Sequence, residues 1–220
     1  MLVNDIELAR RNMILQQIRP WEVLDERVLD VIQRVPREDF VPDAYRGLAF
    51  ADVEIPIGHG RHMLAPRIEA RMLQVLDPRP GDRILEVGTG TGFVTACLAR
   101  LGGTVTSLDT QPEFTAAAAE RLEALGIEGV ELRTADALSA DFGAERFDVI
   151  AVNGSLPDCV SRFERLLKLG GRLFLVCGQL PVMEAMLITR VGEDAWRREG
   201  LFETALAPLE NAPSPVSFQF

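Results

Sequence analysis

A glycine-rich turn between a strand-like run and a helical run is the feature that most constrains the fold of this chain. Residues 85–92 read Leu-Glu-Val-Gly-Thr-Gly-Thr-Gly, directly after Arg83 and Ile84 and before a helical run that ends near Leu101. Glycine accepts backbone angles that other residues avoid, so three alternating glycines allow a sharp turn and the close approach of a ligand. The turn therefore predicts the first βα unit of an open α/β sheet.

Downstream of this turn, short apolar runs alternate with runs of helical periodicity. The predicted strands are residues 83–87, 104–108, 130–134, 147–152 and 172–177, and the predicted helices are residues 91–101, 111–125 and 158–167. This alternation is typical of βαβ units and a parallel sheet. Two further extended runs, 184–191 and 196–206, are separated by a short Gly-Glu-Asp linker, which predicts an antiparallel hairpin.

The first 78 residues have a different pattern, mainly helical with one long punctuated segment. Runs of helical periodicity cover residues 5–17, 25–35 and 66–76. Residues 40–66 contain several prolines and glycines, which predicts a long ordered loop or short strands. A loop of this length inside a compact domain usually has a function. We therefore predict N-terminal helices and an active-site loop in residues 1–78, packed on a core of residues 79–220 within a single compact unit.

The charge balance argues against two classes of partner. Lys and Arg total 23 against 33 Asp and Glu, for a formal net charge of -10. Non-specific nucleic-acid binding needs a basic surface, so we expect no nucleic-acid partner. No apolar run reaches the roughly 18 to 20 residues of a membrane span, and charged residues interrupt the N-terminal apolar residues. We therefore expect a cytoplasmic globular protein with no membrane association.

Three cysteines, Cys97, Cys159 and Cys177, lie far apart in apolar or small-residue contexts. An odd and widely spaced set matches neither a metal-binding spacing nor a disulfide framework. We therefore predict that all three are buried, reduced thiols, and that the protein has no metal site.

The order of residues in the glycine turn distinguishes between two classes of cofactor. A dinucleotide site needs G-x-G-x-x-G, but the position of its third glycine is Phe93. The chain instead has Glu86 ahead of alternating glycines, a pattern without a pyrophosphate cradle, in which the acid suits an amino-acid ammonium group. Asp109 ends the next strand, 19 residues after Gly90, where a carboxylate can accept both hydroxyls of a ribose. The pattern favours a site for S-adenosyl-L-methionine (SAM).

Two further strand ends carry residues that suit this cofactor. Asp136 and Ala137 follow the third strand, where a carboxylate can meet the adenine amino group; a helix N-cap is the alternative for Asp136. Residues 153–155, Asn-Gly-Ser, end the fourth strand at the ligand-binding edge of such sheets, although an ordinary turn explains them equally well. Glu69 and Arg71, on the helix before the glycine turn, are interpreted as a solvated face.

Four segments of the chain carry a resemblance to a known family. The distinctive ones are Val-Pro-Arg-Glu-Asp-Phe-Val-Pro at 35–42 and Ile-Pro-Ile-Gly-His-Gly at 55–60. The other two, 80–93 and 167–173, occur in many SAM-dependent methyltransferases. Together they resemble the protein-L-isoaspartate O-methyltransferase family over most of the chain. The resemblance implies a SAM-dependent enzyme that methylates the free carboxylate of isoaspartyl residues in damaged proteins or peptides, as the start of their repair.

The chain departs from this family at the loop expected to hold the acceptor. The family typically carries Gln-Thr-Ile-Ser-x-Pro there, with its serine at the acceptor, whereas residues 61–66 read Arg-His-Met-Leu-Ala-Pro. His62 replaces the threonine and Leu64 the serine, so the expected acceptor pocket lacks two hydroxyls. Milder departures are Asp109, where the family commonly has Glu, and Ala-Asp-Ala at 135–137 in place of Gly-Asp-Gly.

Both histidines of the chain, His59 and His62, lie in this loop, and three interpretations remain open. A carboxylate acceptor needs no general base, so His59 then orients the loop or the cofactor, and His62 only substitutes for threonine. For a small hydroxylated acceptor, His62 is the general base, and Met63 and Leu64 form an apolar wall. Alternatively, both histidines are loop residues bonded to backbone. Arg61 can pair with an acceptor carboxylate in either kind of enzyme.

We therefore predict an α/β, Rossmann-like class I SAM-dependent methyltransferase fold: a mostly parallel sheet with a C-terminal antiparallel hairpin and an N-terminal helical extension. The predicted residues that bind SAM, or its product S-adenosyl-L-homocysteine (SAH), are Glu86, Gly88, Thr89, Gly90, Gly92, Asp109, Asp136 and Ala137. The predicted catalytic positions are His59, His62 and Leu64, the last at the family's serine. Methylation of a protein carboxylate is the leading function; the alternatives are a small-molecule O-methyltransferase that uses His62 and a SAM-binding homologue without activity.

Overall fold

The computed structural model describes residues 3–159 and 162–213 of the chain. Its first elements are α1 (Val3–Met13), a π-helical turn (Ile14–Ile18) and α2 (Glu26–Arg34). The carboxylate of Asp25 accepts a hydrogen bond from the backbone N–H of Arg27 and so caps the start of α2. The two helical runs predicted at the N-terminal end are confirmed.

The punctuated segment predicted over residues 40–66 contains a short antiparallel ribbon. Its strands are β1 (Ile55–Gly58) and β2 (Arg61–Met63), and helix α3 (Pro66–Leu76) follows. Pro56 pairs with His62 in the β1–β2 ribbon. His59 and Gly60 turn the ribbon with φ angles of 50° and 68°. The prediction of short strands followed by a helix is confirmed.

The remaining strands form one seven-stranded sheet. The elements are β3 (Arg83–Val87), α4 (Phe93–Leu101), β4 (Thr104–Asp109), α5 (Pro112–Ala124), β5 (Val130–Thr134), β6 (Phe147–Leu156), β7 (Leu167–Gln179), β8 (Val182–Gly192) and β9 (Ala195–Glu203). The strand order is β5-β4-β3-β6-β7-β8-β9; neighbouring strands from β5 to β7 are parallel, and β8 is antiparallel to both β7 and β9. The predicted mostly parallel sheet with a terminal hairpin is confirmed.

The order of the strands reverses beside β3, which places a ligand-binding edge there. The chain continues from β3 to β4 and β5 on one side and returns to β6 and β7 on the other. In open α/β sheets, ligands bind outside the carboxyl ends of the strands at such a reversal.

The central strands of the sheet are buried on both faces, since successive residues point to opposite sides and most residues of β3, β6 and β7 are buried. Ile84 belongs to a core shared with α2, α3 and α4, whereas its neighbour Leu85 packs in a second core with Phe142 and Phe163. The N-terminal helices therefore cover one face of the sheet. No helix within the described residues is long and apolar enough to span a membrane.

The helix predicted over residues 158–167 is wrong. The structure has one 3-10 turn at Arg162–Leu166, and residues 160–161 lie outside the described ranges. The Glu164 carboxylate accepts hydrogen bonds from Arg198 of β9 at 2.8 and 2.9 Å, and Glu164 is 3% exposed. Because this tertiary contact draws the segment onto the sheet, it overrides the helical periodicity.

The prediction of three reduced thiols is wrong for two of them. Cys159, which follows β6, and Cys177, near the end of β7, form a disulfide with Cα atoms 5.2 Å apart. These strands are neighbours, and Leu156 pairs with Cys177, so cysteines 18 residues apart meet at one edge. Cys97 is free and buried, as predicted.

Candidate active site

A pocket opens at the carboxyl ends of β3, β4 and β6. Its walls come from the glycine turn after β3, the β1–β2 ribbon and the C-terminal segment 206–210. The predicted cofactor residues that line it are Gly88, Thr89, Gly90, Asp109, Asp136 and Ala137. Glu86 and Gly92 do not line it. The structure therefore brings most of the predicted cofactor residues together.

Two glycines of the turn are needed for different reasons. Gly90 has a φ of 50°, and a Cβ atom there would lie 3.3 Å from the side chain of Ile57 on the ribbon. Gly92 has a φ of 87°, and its Cβ would lie 2.9 Å from that of Ala118. Gly90 thus lets the turn approach the pocket and the ribbon, whereas Gly92 lets α4 pack against α5.

Asp109 is held in place by backbone groups. Its Oδ2 atom accepts from the N–H of Gly90 at 2.9 Å, and its Oδ1 atom accepts from the N–H of Gln111 at 3.0 Å. Each carboxylate oxygen has a further lone pair, so Asp109 can also accept hydrogen bonds from a ligand. Its position at the strand end agrees with the expected ribose contact.

Asp136 lines the pocket and caps a turn. Its Oδ1 atom accepts from the N–H of Leu138 at 2.8 Å, and Oδ2 accepts from the Asn211 amide at 3.1 Å. The same side chain lines the pocket beside Ala137. Residues 137–139 form a turn and not the start of a helix, so the helix N-cap alternative is wrong, and the adenine contact stays a prediction.

Glu86 lies behind the glycine turn rather than in the pocket. It is fully buried, and Oε2 accepts from Thr95 at 2.5 Å and from Ser107 at 2.7 Å. Oε1 accepts from the Asn153 amide at 2.8 Å, and that amide also donates to the carbonyl of Gly88 at 2.8 Å. Burial raises the pKa of Glu86 to about 7, against the effect of these donors. Glu86 therefore supports the turn and makes no contact with the pocket.

Residues 153–155 lie within β6, which continues to Leu156, so the interpretation of an ordinary turn is wrong. Asn153 and Gly154 line the pocket. Ser155 is buried, and its hydroxyl donates to the carbonyl of Leu206 at 2.9 Å, while its N–H donates to that of Ala207 at 3.0 Å. The end of β6 therefore reaches the pocket and anchors the C-terminal segment.

The β1–β2 ribbon forms the opposite wall of the pocket. His62 is exposed and lines the pocket together with Met63 and Leu64, which are 5% and 6% exposed. His59 lies at the tip of the ribbon, outside the pocket wall, and its ring packs edge-to-face against Phe114 at 5.4 Å. Neither histidine side chain forms a hydrogen bond with any described residue, so the interpretation that both bond to backbone is wrong.

The C-terminal segment provides a wall that sequence reasoning missed. Residues 206–210 line the pocket. Glu210 accepts hydrogen bonds from Thr110 at 2.5 Å and Gln111 at 2.9 Å and forms an ion pair with Arg61 at 3.2 Å. These hydrogen bonds lower the pKa of Glu210. Thr110 is 100 residues away in sequence, so no local signal could have revealed this contact.

Glu69 is a second pocket residue that the sequence placed wrongly. It is 2% exposed, lines the pocket and pairs with Arg37, which is 1% exposed. Burial raises the pKa of Glu69 to about 7, although the charge of Arg37 opposes the shift. Arg37 also donates to the carbonyls of Ala49 and Leu64, both at 2.8 Å. The buried pair therefore ties α3 to the end of the ribbon; Arg71, in contrast, bonds to a surface carbonyl.

The pocket residues fit SAM. Asp109 and Asp136 place carboxylates at two neighbouring strand ends, where ribose hydroxyls and an adenine amino group would be held. The bare backbone at Gly90 forms part of the wall between them. The buried Oδ1 atom of Asn153, next to the turn, has no hydrogen-bond partner among the described residues. The fold and this pocket define the class of the protein: class I SAM-dependent methyltransferases.

Comparison with known proteins identifies the family within this class. Residues 9–211 match the family model of Protein-L-isoaspartate(D-aspartate) O-methyltransferase (PCMT). The chain is 36% identical to the protein-L-isoaspartate O-methyltransferase of Magnetococcus marinus, with 92% of this chain and 89% of that one covered. It is 37% identical to the Methylorubrum extorquens enzyme of the same name, with 94% and 90% covered. The chain therefore belongs to the protein-L-isoaspartate O-methyltransferase family, as its sequence motifs predict.

A solved structure confirms the fold. The Plasmodium falciparum protein described as a protein-L-isoaspartate O-methyltransferase, in complex with SAH, superposes with a TM-score of 0.78. The two sequences are 20% identical, and the match covers 92% of this chain and 97% of that one. The predicted Rossmann-like methyltransferase architecture is thus found in a member of the same class.

Proposed function

We propose that this protein transfers the methyl group of SAM to the free carboxylate of isoaspartyl residues in damaged proteins or peptides. The charge of the ribbon wall carries the proposal. Among the described residues of the pocket wall, the side chains that carry or can carry positive charge are Arg61 and His62, both on β2. An anionic acceptor suits this wall, and the activity named for the curated relatives supports the same acceptor.

The proposed reaction asks the protein mainly to position its two substrates. When bound, SAM supplies an electrophilic methyl group on a sulfonium. A carboxylate is ionised at neutral pH, so no residue has to remove a proton from it, and alignment supplies much of the rate. Asp109 and Asp136 would hold the nucleoside, while the ribbon would hold the acceptor carboxylate. Arg61 is oriented for this by its ion pair with Glu210.

The proposal extends to the organisation of the chain. Residues 1–78 would form the acceptor side, and residues 79–220 the SAM-binding core. The position of the ribbon in the pocket wall supports this division. The division is not complete, because residues 206–210 belong to the core and yet form part of the pocket wall on the acceptor side.

A second candidate is a small-molecule O-methyltransferase in which His62 acts as general base. The observation in its favour is the buried apolar surface of Met63 and Leu64 beside a histidine whose side chain has no hydrogen bond with the described residues. Glu54 lines the same pocket; burial raises its pKa, and the charges of His62 and Arg67 lower it. A hydroxyl acceptor would need such a base, whereas a carboxylate would not.

The test uses radiolabelled SAM with paired isoaspartyl and aspartyl peptides. Base-labile methyl is counted as volatile methanol, and SAH binding is measured on the same sample. We expect methanol from the isoaspartyl peptide only. A protein that binds SAH and releases no methanol would contradict the proposed acceptor and favour either a hydroxylated small molecule or a SAM-binding protein without activity.

A further inference from the structure

Glu69 is the pocket carboxylate that the proposed reaction does not use. Its Oε2 atom pairs with Arg37, and the side chain is 2% exposed. The other oxygen, Oε1, has no hydrogen-bond partner among the described residues, although Glu69 forms part of the pocket wall. Oε1 is not among the fully buried unpaired atoms of the described residues, so it is open to the pocket, and its lone pairs can accept hydrogen bonds from a bound ligand. We therefore expect a ligand donor to meet it.

The other carboxylates of the described pocket wall are satisfied or more exposed. Both oxygens of Asp109 and of Asp136 accept hydrogen bonds. Glu210 is paired with Arg61 at the mouth, and Glu54 is exposed. Glu69 therefore differs from them in being deeply buried with one oxygen left open to the pocket.

The contacts of Glu69 place it at the end of the pocket beneath the glycine turn. Its partner Arg37 lies over the ring of Phe93, the first residue of α4, at 4.8 Å. The charge of Glu86, at the end of β3, also acts on Glu69. Asp136 follows β5, the edge strand on one side of β3, whereas α3, which carries Glu69, packs against β6 and β7 on the other side. The amino-acid part of SAM would therefore lie at the Glu69 end, where the buried Oδ1 atom of Asn153 also lacks a donor.

We propose that Glu69 binds the α-ammonium group of the amino-acid part of SAM and SAH. The proposal rests on the SAM site described above. It transfers to Glu69 the task that the sequence suggests for Glu86, whose oxygens are all engaged behind the turn. An ammonium group offers three N–H donors, and its bond to a carboxylate is charge-assisted. Arg37 holds the Glu69 carboxylate in position and favours its ionised form.

The test is calorimetric binding of two ligands to the full-length protein and its Glu69→Gln variant. The first ligand is SAH, and the second is an SAH analogue in which hydrogen replaces the α-amino group. We expect Glu69→Gln to weaken SAH binding about tenfold and to leave the affinity for the analogue within about twofold. The matched control is Glu164→Gln, which neutralises another buried carboxylate paired with an arginine, outside the pocket wall, and should leave SAH binding unchanged.

Each other outcome overturns the proposal. Equal losses for both ligands would mean that Glu69 only maintains the shape of the pocket, and unchanged SAH affinity would mean that it contacts no ammonium. If Glu69→Gln does not fold, Glu69→Asp keeps the charge beside Arg37 but retracts the carboxylate by one methylene, and the same selective loss is expected. Failure of the wild-type protein to bind SAH would instead overturn the SAM site and, with it, this inference.

Discussion

The two walls of the pocket are held in place by different kinds of interaction. The cofactor wall is formed by the residues that follow β4 and β5. There, the backbone N–H of Leu138 orients Asp136, and the backbone N–H groups of Gly90 and Gln111 orient Asp109. On the ribbon wall, Leu64 is held through its carbonyl by Arg37, and Arg61 through its side chain by Glu210. The backbone groups that orient the two aspartates lie at most 19 residues from them in the sequence. The side-chain contacts of the ribbon wall join segments 27 or more residues apart, so they form only when those segments assemble. The ribbon wall therefore depends more strongly on the complete fold.

The largest expected effect is on the ribbon wall, in Arg37→Gln. This change leaves the Glu69 carboxylate buried without its partner and frees two carbonyls, so we expect a loss of about 3 kcal/mol in the free energy of unfolding. Urea denaturation measures it. Arg34→Gln is the control, because Arg34 pairs with Asp30 on the surface, and we expect a change below about 0.5 kcal/mol. Equal losses in the two variants would refute the special role of the buried pair.

On the cofactor wall, Asp109→Ala should reduce ligand affinity without comparable loss of stability. Two hydrogen bonds from ribose hydroxyls to a carboxylate would be lost, so we expect SAH binding to weaken about 100-fold. Isothermal titration calorimetry measures it. Asp141→Ala is a matched control, since the Asp141 carboxylate also accepts a backbone N–H, at 2.7 Å, but lies outside the pocket wall. SAH affinity within threefold of the wild type, roughly 0.7 kcal/mol, would exclude the ribose contact.

The buried carboxyl group of Glu86, behind the glycine turn, should make the stability of the protein depend on pH. The pKa of Glu86 is raised from 4.5 to about 7, so the native state keeps this proton to higher pH than the unfolded chain does. Its contribution to stability is therefore full below about pH 4.5 and is lost as the pH rises through about 7.

Glu86→Gln removes this titration. Between about pH 5 and pH 8, we expect the free energy of unfolding of the wild type to fall by about 2 kcal/mol more than that of the variant. Urea denaturation at the two pH values gives the difference. Parallel pH profiles would mean that Glu86 is already ionised in the native state at the lower pH.

The smallest expected effect distinguishes the two candidate acceptors at the ribbon. If the acceptor is a carboxylate, His62→Ala should lower kcat/KM for an isoaspartyl peptide by less than about tenfold, because no proton has to be removed. A general base would contribute about 100- to 10,000-fold. Steady-state kinetics with the peptide separates the two. A His59→Ala control, at the ribbon tip outside the pocket wall, should change the rate less than His62→Ala.

Most of the fold could be predicted because periodicity is a local property. The third parallel strand, 130–134, and the helix 66–76 lie at their predicted bounds, since each has a clear apolar pattern and a proline or glycine at its edge. The helix predicted over 158–167 failed because Glu164 is drawn to Arg198 on β9. The prediction of reduced thiols at Cys159 and Cys177 failed for the same reason, because their pairing depends on which strands become neighbours.

The class of fold, the glycine turn and the two strand-end carboxylates could be predicted from the sequence, because alternation, backbone freedom and capping act between residues close in the chain. Which acids reach the pocket depends on the tertiary fold. Glu86 is withdrawn behind the turn, and Glu69 is brought into the pocket wall beside Arg37. Burial and long-range pairing set the positions of these side chains, and both arise only when helices, ribbon and sheet pack together.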